Sequence, residues 1–466
     1  MNNLERRWGL AAVFVLFMSF SAPAAEVAAL DKYVVALDKY LEMVKQGNHS
    51  LQSGARNVEA AYYGVLASVS YQRPGAALSG SASYISDQQT GEGHNRNSMV
   101  YNTSLALTHR FDLSGEYTLD ERQQILFYES QRAAFDSSVN LLFSTAEDTY
   151  WSAVLARENI ALQKDVLRQR RENNRVIEEK YRQQLVPRLD LIRSEAQVVA
   201  AESLVTEAEA QYRNLLSGMA ALTGGTEVVP VEEPLAVPAF GFDVTLKGAL
   251  LSRPDIRASR LALERSKLVK KLAAKGMTPT LTGAIRWTPW AEPWNSSTPQ
   301  NGEIGASLTL NIPLTDGGSA RYKTLNADRL VQASEASLRA AENSANQDLT
   351  VALNNWEMAS ALERDKKRQV ERSDEELRIT ELMYNEGMGA QIDLINAQTE
   401  NQRVRTDYLN AVKGMYAAIV EFRRAIGDYA PDEDGTWKEA AVRYGRGTDI
   451  ANEMQTLKLK LKKSKN

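Results

Sequence analysis

The chain of 466 residues contains no cysteine and only three histidines. Without cysteine there is no disulfide framework, no thiolate metal site, no cysteine nucleophile and no lipidated N-terminal cysteine. His49, His94 and His109 are too few and too scattered for a histidine metal site or a catalytic triad. No phosphate-binding glycine loop is present, so the chain does not hydrolyse nucleotides for energy. No cofactor is expected, and the protein is not expected to be an enzyme. Charge of one sign is also missing. The 55 Lys plus Arg nearly balance 59 Asp plus Glu, for a net charge of -4. A basic nucleic-acid surface is thereby excluded. A mean hydropathy of -0.38 excludes a bundle of many membrane helices, but not a membrane barrel, whose apolar signal is alternating and dilute.

The one long apolar run is N-terminal. Arg6 and Arg7 precede apolar residues from Trp8 to Phe20, and Ala22, Pro23 and Ala24 supply small residues for cleavage. Residues 1–25 therefore read as a signal peptide, too short to span a bilayer as a helix. The remainder repeats itself. Tyr181, Leu189, Asp190 and Leu191 recur as Tyr384, Ile392, Asp393 and Leu394, an offset of 203 positions (190 to 393), and the same offset carries Gly224 to Gly427. Two copies of one unit follow, 26–225 and 246–428, joined by a linker at 226–245 whose Pro230, Pro234 and Pro238 forbid a helix. Residues 429–466 form a tail ending in a lysine cluster, expected to be solvated.

Each copy reads helix, strand, strand, very long helix, turn, return helix. The long helices are predicted over 116–181 and 320–385, with returns over 188–223 and 391–426. Neither long segment contains proline, and 65 residues of helix would be about 98 Å long, too long for a globular core. Heptad spacing of Val139, Ala146 and Ala153, and of Ala345, Ala352 and Ala359, predicts antiparallel coiled-coil hairpins with small seam residues.

Strands are predicted at about 77–86, 99–111, 279–288 and 303–313. Leu105, Leu107 and Phe111 oppose Ser104, Thr108 and Arg110; Ile304, Leu308 and Leu310 oppose Glu303, Ser307 and Thr309. Their length suits tilted strands crossing a bilayer, and Tyr84, Trp287, Trp290 and Trp294 suit an interfacial aromatic girdle. The alternation fits a soluble half-buried sheet equally well. Four strands cannot close a barrel, however, and an open edge cannot face lipid, so a barrel would need several chains. Arg110 and Arg286, on the polar face, are candidates for the pore lining or its rim.

Nearly the whole mature chain resembles the outer membrane efflux protein family, of which TolC is the type member. The resemblance rests on Gly47–Asn48, on Arg253–Pro254–Asp255 restarting the second copy, on Ile312 to Gly318 after the last strand, on Tyr384 to Gly387 followed by Ile392–Asp393–Leu394, and on Ala425–Ile426–Gly427. It implies an α+β membrane fold: a duplicated unit of long coiled-coil hairpins and two strands, with four strands per chain in a twelve-stranded trimeric outer-membrane barrel. A periplasmic α-helical tunnel continues the barrel. The resemblance further implies a homotrimer in outer membrane lipid, acting as the passive exit duct of a tripartite efflux or type I secretion system. Its partners would be a periplasmic adaptor (membrane fusion) protein and an inner-membrane pump of RND, ABC or MFS type. It also implies the site residues. Asp393 would ring a periplasmic constriction, with Asn396 one turn on where the family can carry a second acid. Asp190 and Tyr384 would form a gate latch. The hairpin tips, Leu185, Val186, Pro187 and Arg188 with Gly387, Met388 and Gly389, would contact the adaptor. Capping of the return helices remains an alternative role for Asp190 and Asp393, and local turn packing one for the apolar tips. A soluble periplasmic coiled-coil scaffold remains the alternative for the whole chain.

Overall fold

The computed structural model describes residues 33–87, 96–231, 253–293 and 303–429. The expected signal peptide, His94, Trp294, most of the proline linker and almost all of the tail lie outside these residues. The first copy comprises β1 (Tyr33–Val35), α1 (Leu37–Gly47), α2 (His49–Ser70), β2 (Gly75–Asp87), β3 (Arg96–Phe111), α3 (Glu116–Arg182) and α4 (Arg188–Leu222). After β4 (Val228–Pro230), the second comprises α5 (Pro254–Ala273), β5 (Thr280–Pro293), β6 (Glu303–Asn311), α6 (Ser319–Asn385) and α7 (Gln391–Ile426).

Local chemistry sets the boundaries. The opening helix of the first copy is split at Asn48, whose side chain accepts from the Ser50 and Leu51 N–H groups and donates to the Leu222 carbonyl. Beside it, a Cβ on Gly47 would stand 2.1 Å from the Thr223 carbonyl oxygen, so only glycine fits. The start of α3 is set by Asp112, which accepts from the Glu116 N–H at 2.8 Å; Asp316 accepts from the Gly318 N–H at 2.9 Å to set the start of α6. The last strand, expected to 313, ends at Asn311; Pro313 has no N–H for a ladder.

α3 and α6, 67 residues each, are about 100 Å long. They bury alanines: Ala133, Ala146 and Ala153 on α3, and Ala345 and Ala352 on α6, are fully covered. Such small side chains let helices approach closely. Towards the sheet the helices lie in the order α2, α3, α5, α6, and towards the tips in the order α4, α3, α7, α6. α3 thus has neighbours on both sides, whereas α6 closes one edge of the layer. A hub at mid-length packs Val35, Tyr40, Tyr150, Met219 and Val228 together. There Tyr40 stacks on Tyr150 at 5.8 Å, and β1 pairs parallel with β4, Tyr33 opposite Val228. The start of the linker, where proline forbids a helix, forms this second short strand.

The sheet is antiparallel in the order β2-β3-β5-β6. Its register sorts the side chains. Leu78 lies opposite Leu105, Leu105 opposite Trp287 and Trp287 opposite Ile304; Leu107 lies opposite Ile285 and Phe111 opposite Leu281, itself opposite Leu310. These apolar residues form one continuous face, and most of them are exposed, Leu78 and Ile304 at 75% each. His109 interrupts that face beside Gly283 and packs edge-on against Phe111 at 4.7 Å. The other face carries small polar residues, among them Ser79 and Ser104, whose hydroxyls are 2.8 Å apart. No helix among the described residues is long and apolar enough to cross a membrane.

Candidate functional site

Both hairpins turn by the same hydrogen-bond pattern. The Gln184 N–H donates to the Tyr181 carbonyl and the Leu185 N–H to the Lys180 carbonyl; in the second copy Gly387 donates to Tyr384 and Met388 to Met383. This is a Schellman motif, which requires a left-handed residue after the helix. Gly387 supplies it with φ 74°, but the first copy uses Gln184 at φ 62°. A Cβ on Gly389 would lie 3.3 Å from the Tyr384 nitrogen, so the chain is folded tightly against the end of α6 there. At the tips, Leu185 and Met388 are about 70% exposed (69% and 71%). Pro187 and Arg188 beside Leu185 are also exposed, and Val186 is half-buried.

Asp190 and Asp393 occupy equivalent positions in the first turns of α4 and α7. The N-cap residues are Pro187 and Ala390, and neither helix has a side-chain cap bond. The two acids favour the positive helix ends by charge, without the direct cap allowed for them. Asp190 is half-buried and lies 4.0 Å from Arg193. Asp393 and Asn396 are exposed, while Leu394, Ile395 and Ala397 between and beside them are buried.

Tyr384 packs against Leu377, Leu394 and Ala397. Within the chain its hydroxyl meets Lys180. The Lys180 ammonium donates to the Tyr384 hydroxyl at 3.4 Å and sits 4.5 Å from the ring centroid, joining α3 to α6 just above the tips.

A second tie between the hairpins was not apparent in the sequence. Arg170 on α3 is buried, and its guanidinium donates to Gln197 on α4 at 2.8 Å and to Gln398 and Thr399 on α7 at 2.7 and 3.0 Å. All three acceptors are neutral, and Arg170 has no carboxylate partner among the described residues. Burial lowers its pKa from the ordinary arginine value, but an arginine stays charged at physiological pH. One heptad nearer the sheet, Gln402 donates to Gln163 at 2.9 Å. Nearer still to the hub the contact is apolar, with Leu155, Val412 and Tyr416 packed together and Trp151 stacked on Tyr416 at 4.2 Å. The spacing of Gln163, Arg170 and Ile177, all buried, is the sequence signal that marks this seam. Between the hairpins runs a groove of about 1020 Å³, lined by Lys164, Arg168, Arg171 and Arg175 on α3 and by Glu381 and Tyr384 on α6.

Two hairpins of about 100 Å, continuous with a sheet that exposes a full apolar face, define a channel-type protein of an outer membrane. The chain belongs to the outer membrane efflux protein family, whose model matches residues 40–225 and 245–428. Membership gives it an outer-membrane location with a long periplasmic extension. Among curated relatives, "Nodulation protein T" of Rhizobium leguminosarum bv. trifolii is 23% identical over 408 residues, covering 82% of this chain and 84% of the relative. Among solved structures, CusC, described in terms of folding and transmembrane channel formation, superposes with a TM-score of 0.75 at 15% identity, covering 85% of this chain and 93% of that one. The open state of the Neisseria gonorrhoeae MtrE outer membrane channel gives 0.71 at 21% identity, covering 84% and 88%.

Proposed function

We propose that three copies of this chain close a twelve-stranded barrel over an α-helical tunnel, forming the passive exit duct of a tripartite efflux or type I secretion system. The observation that carries this reading is the pair of open edges. Among the described residues β2 and β6 each have only one neighbour in the sheet, and the helical layer ends at α6 on one side and at α2 and α4 on the other. An unpaired strand edge cannot stand in lipid, because each free N–H and C=O costs several kcal/mol there. Three four-stranded arcs bring β6 of one copy beside β2 of the next, and twelve strands lie within the range of known barrels. The exposed apolar face then meets lipid, and the serine- and threonine-rich face lines the lumen together with Arg110 and Arg286.

At the far end the tips converge on the threefold axis. Asp393, exposed with Asn396 one turn beyond, rings the constriction, where low-dielectric walls concentrate its field and favour cations. Tyr384 is the gate residue; its phenol meets Lys180 in the conformation described and would meet Asp190 when neighbouring hairpins draw together. The apolar tips and the charged groove between the hairpins suit a periplasmic adaptor, which would link the duct to an inner-membrane pump.

Purification in detergent followed by planar-bilayer recording tests this. The expected result is a trimer that needs detergent and conducts with cation preference, a preference reduced in Asp393→Ala. A detergent-free soluble monomer would refute the duct, and unchanged selectivity in Asp393→Ala would remove that residue from the constriction.

A further inference from the structure

Just below the sheet, α3 and α5 enclose a shallow groove of about 570 Å³, lined by Gly115, Thr118, Leu119, Arg122, Lys271 and Lys275 among others. Three cations and no acid line it. Lys275 donates to the Ser114 carbonyl, whereas Arg122 and Lys271 form no ion pair among the described residues.

The side on which the groove opens follows from Arg110. This residue is on the polar face of β3; its guanidinium bonds Glu116 at 3.3 Å and lies 5.5 Å from the Tyr117 ring centroid. Thr278, which precedes β5, bonds the same Glu116. Glu116 and Tyr117 therefore hang beneath the polar face. At 3.6 residues per turn, Gly115, Thr118, Leu119 and Arg122 form a stripe on the opposite side of α3, beneath the apolar face. Its height is also fixed. Phe111, at the foot of β3, is the last residue of the apolar face, and Thr118 to Arg122 lie in the first two turns of α3, about 3–9 Å into the helix. The headgroup layer on each side of a bilayer's hydrocarbon core is about 5–8 Å thick. Leu113 and Met277, exposed beside the groove, add apolar contact at that depth.

We infer that this groove holds the headgroup of an anionic phospholipid of the periplasm-facing leaflet, with Arg122 and Lys271 contacting its phosphate and their aliphatic stems resting along its acyl chains. The inference rests on the outer-membrane duct proposed above.

The test is native mass spectrometry of the full chain released from phosphatidylglycerol and phosphatidylcholine nanodiscs. The wild type is expected to retain phosphatidylglycerol at least tenfold better than phosphatidylcholine, and an Arg122→Gln/Lys271→Gln variant to lose that preference. An Arg122→Lys/Lys271→Arg variant should keep it, since the charges remain. Equal retention by wild type and the glutamine variant, or loss in the charge-conserving variant, overturns the site. Displacement of the lipid by excess inorganic phosphate overturns the lipid as its occupant. A protein that enters no nanodisc and stays a soluble monomer would instead refute the duct itself.

Discussion

Arg170 is the residue whose removal should most change how the two hairpins sit against each other. Replacing it by methionine keeps the long stem in the seam but deprives Gln197, Gln398 and Thr399 of their donor. Bonds to a charged group are worth about 1.5–3 kcal/mol each when one partner is lost. Burying a guanidinium without a carboxylate costs several kcal/mol, which the substitution returns. Thr399 also keeps its own bond to the Ile395 carbonyl at 2.8 Å. The net loss is therefore well below the sum of three bonds, and about 2 kcal/mol per chain is the reasonable figure, a shift of about thirtyfold between joined and separated hairpins. Because the chain has no cysteine, Leu185→Cys and Met388→Cys introduce the only two spin-label sites, both at exposed tips. With labelled chains diluted into an excess of unlabelled ones, so that an assembly carries one labelled chain, pulsed electron–electron double resonance should give one narrow tip-to-tip distance in the parent and a broad or longer distribution in Arg170→Met. Arg170→Lys, which keeps the charge but not the planar fork, should fall between them. A distribution unchanged by Arg170→Met would refute the tie, and with it the argument that polar contacts hold the lower seam.

Gln184→Gly should relieve the left-handed strain by about 1 kcal/mol and slow exchange of the Leu185 amide about fivefold, while Gly387→Ala should accelerate exchange of the Met388 amide by a similar factor; hydrogen-exchange mass spectrometry checks both. Asp136, buried on α3 against Arg257 on α5, has its carboxyl pushed up to about 6 by burial, with Arg257 and Arg132 pulling the other way. The folded pKa lies above the unfolded one, so the folded chain takes up a proton between about pH 4 and 6, and stability falls as pH rises through that window by about 3 kcal/mol per chain. Thermal unfolding in detergent should show that slope in the wild type and a shallower one in Asp136→Asn; equal slopes would mean that another group titrates. Lys180→Met should loosen Tyr384 and lower the stability of the tips, read as faster amide exchange at the end of α6.

The long helices were legible because absence of proline and heptad spacing are properties of a continuous segment, and the strands because alternation survives wherever one face is apolar. The ends of elements were less so. Asn311 ends β6 through a proline two residues on, and Asn48 divides the opening helix by capping, which a periodicity argument does not register. The hub was hidden for a different reason. β1 and β4 are three residues each, far apart in sequence, and they pair only because Tyr40, Tyr150 and Met219 bring them together. Asp190, Asp393 and the tips stood out through the family resemblance and their place after a turn, whereas the Lys180–Tyr384 contact joins residues 204 positions apart and no local pattern marks it. Arg170 sits in the run Gln169, Arg170, Arg171, which looks like a solvated face until the heptad through Gln163 and Ile177 is followed.

The duplication explains why that arginine appears once. At the repeat offset of 203 (170 to 373), the counterpart of Arg170 is Ser373, also buried, which accepts only from Asn401 on α7 at 3.3 Å. Both residues face a return helix, but among the described residues α3 lies between two helices and α6 has a neighbour on one side only. A long, forked donor is useful where three helices meet and one side chain can reach both flanks; where two meet, a hydroxyl is enough and a guanidinium would find acceptors on one side alone. The copies have thus diverged according to how many neighbours each long helix has inside its own chain. Met358 and Leu362 on α6, exposed at 64% and 43%, open onto the groove shared with α3 and α7, whereas α4, at the opposite edge of the layer, presents Val199 at 61%. An apolar side chain on that outer edge suits contact with another helix, and in a closed ring it would meet α6 of the neighbouring copy, which places the same demand for a partner on the helical layer that the unpaired strands place on the sheet.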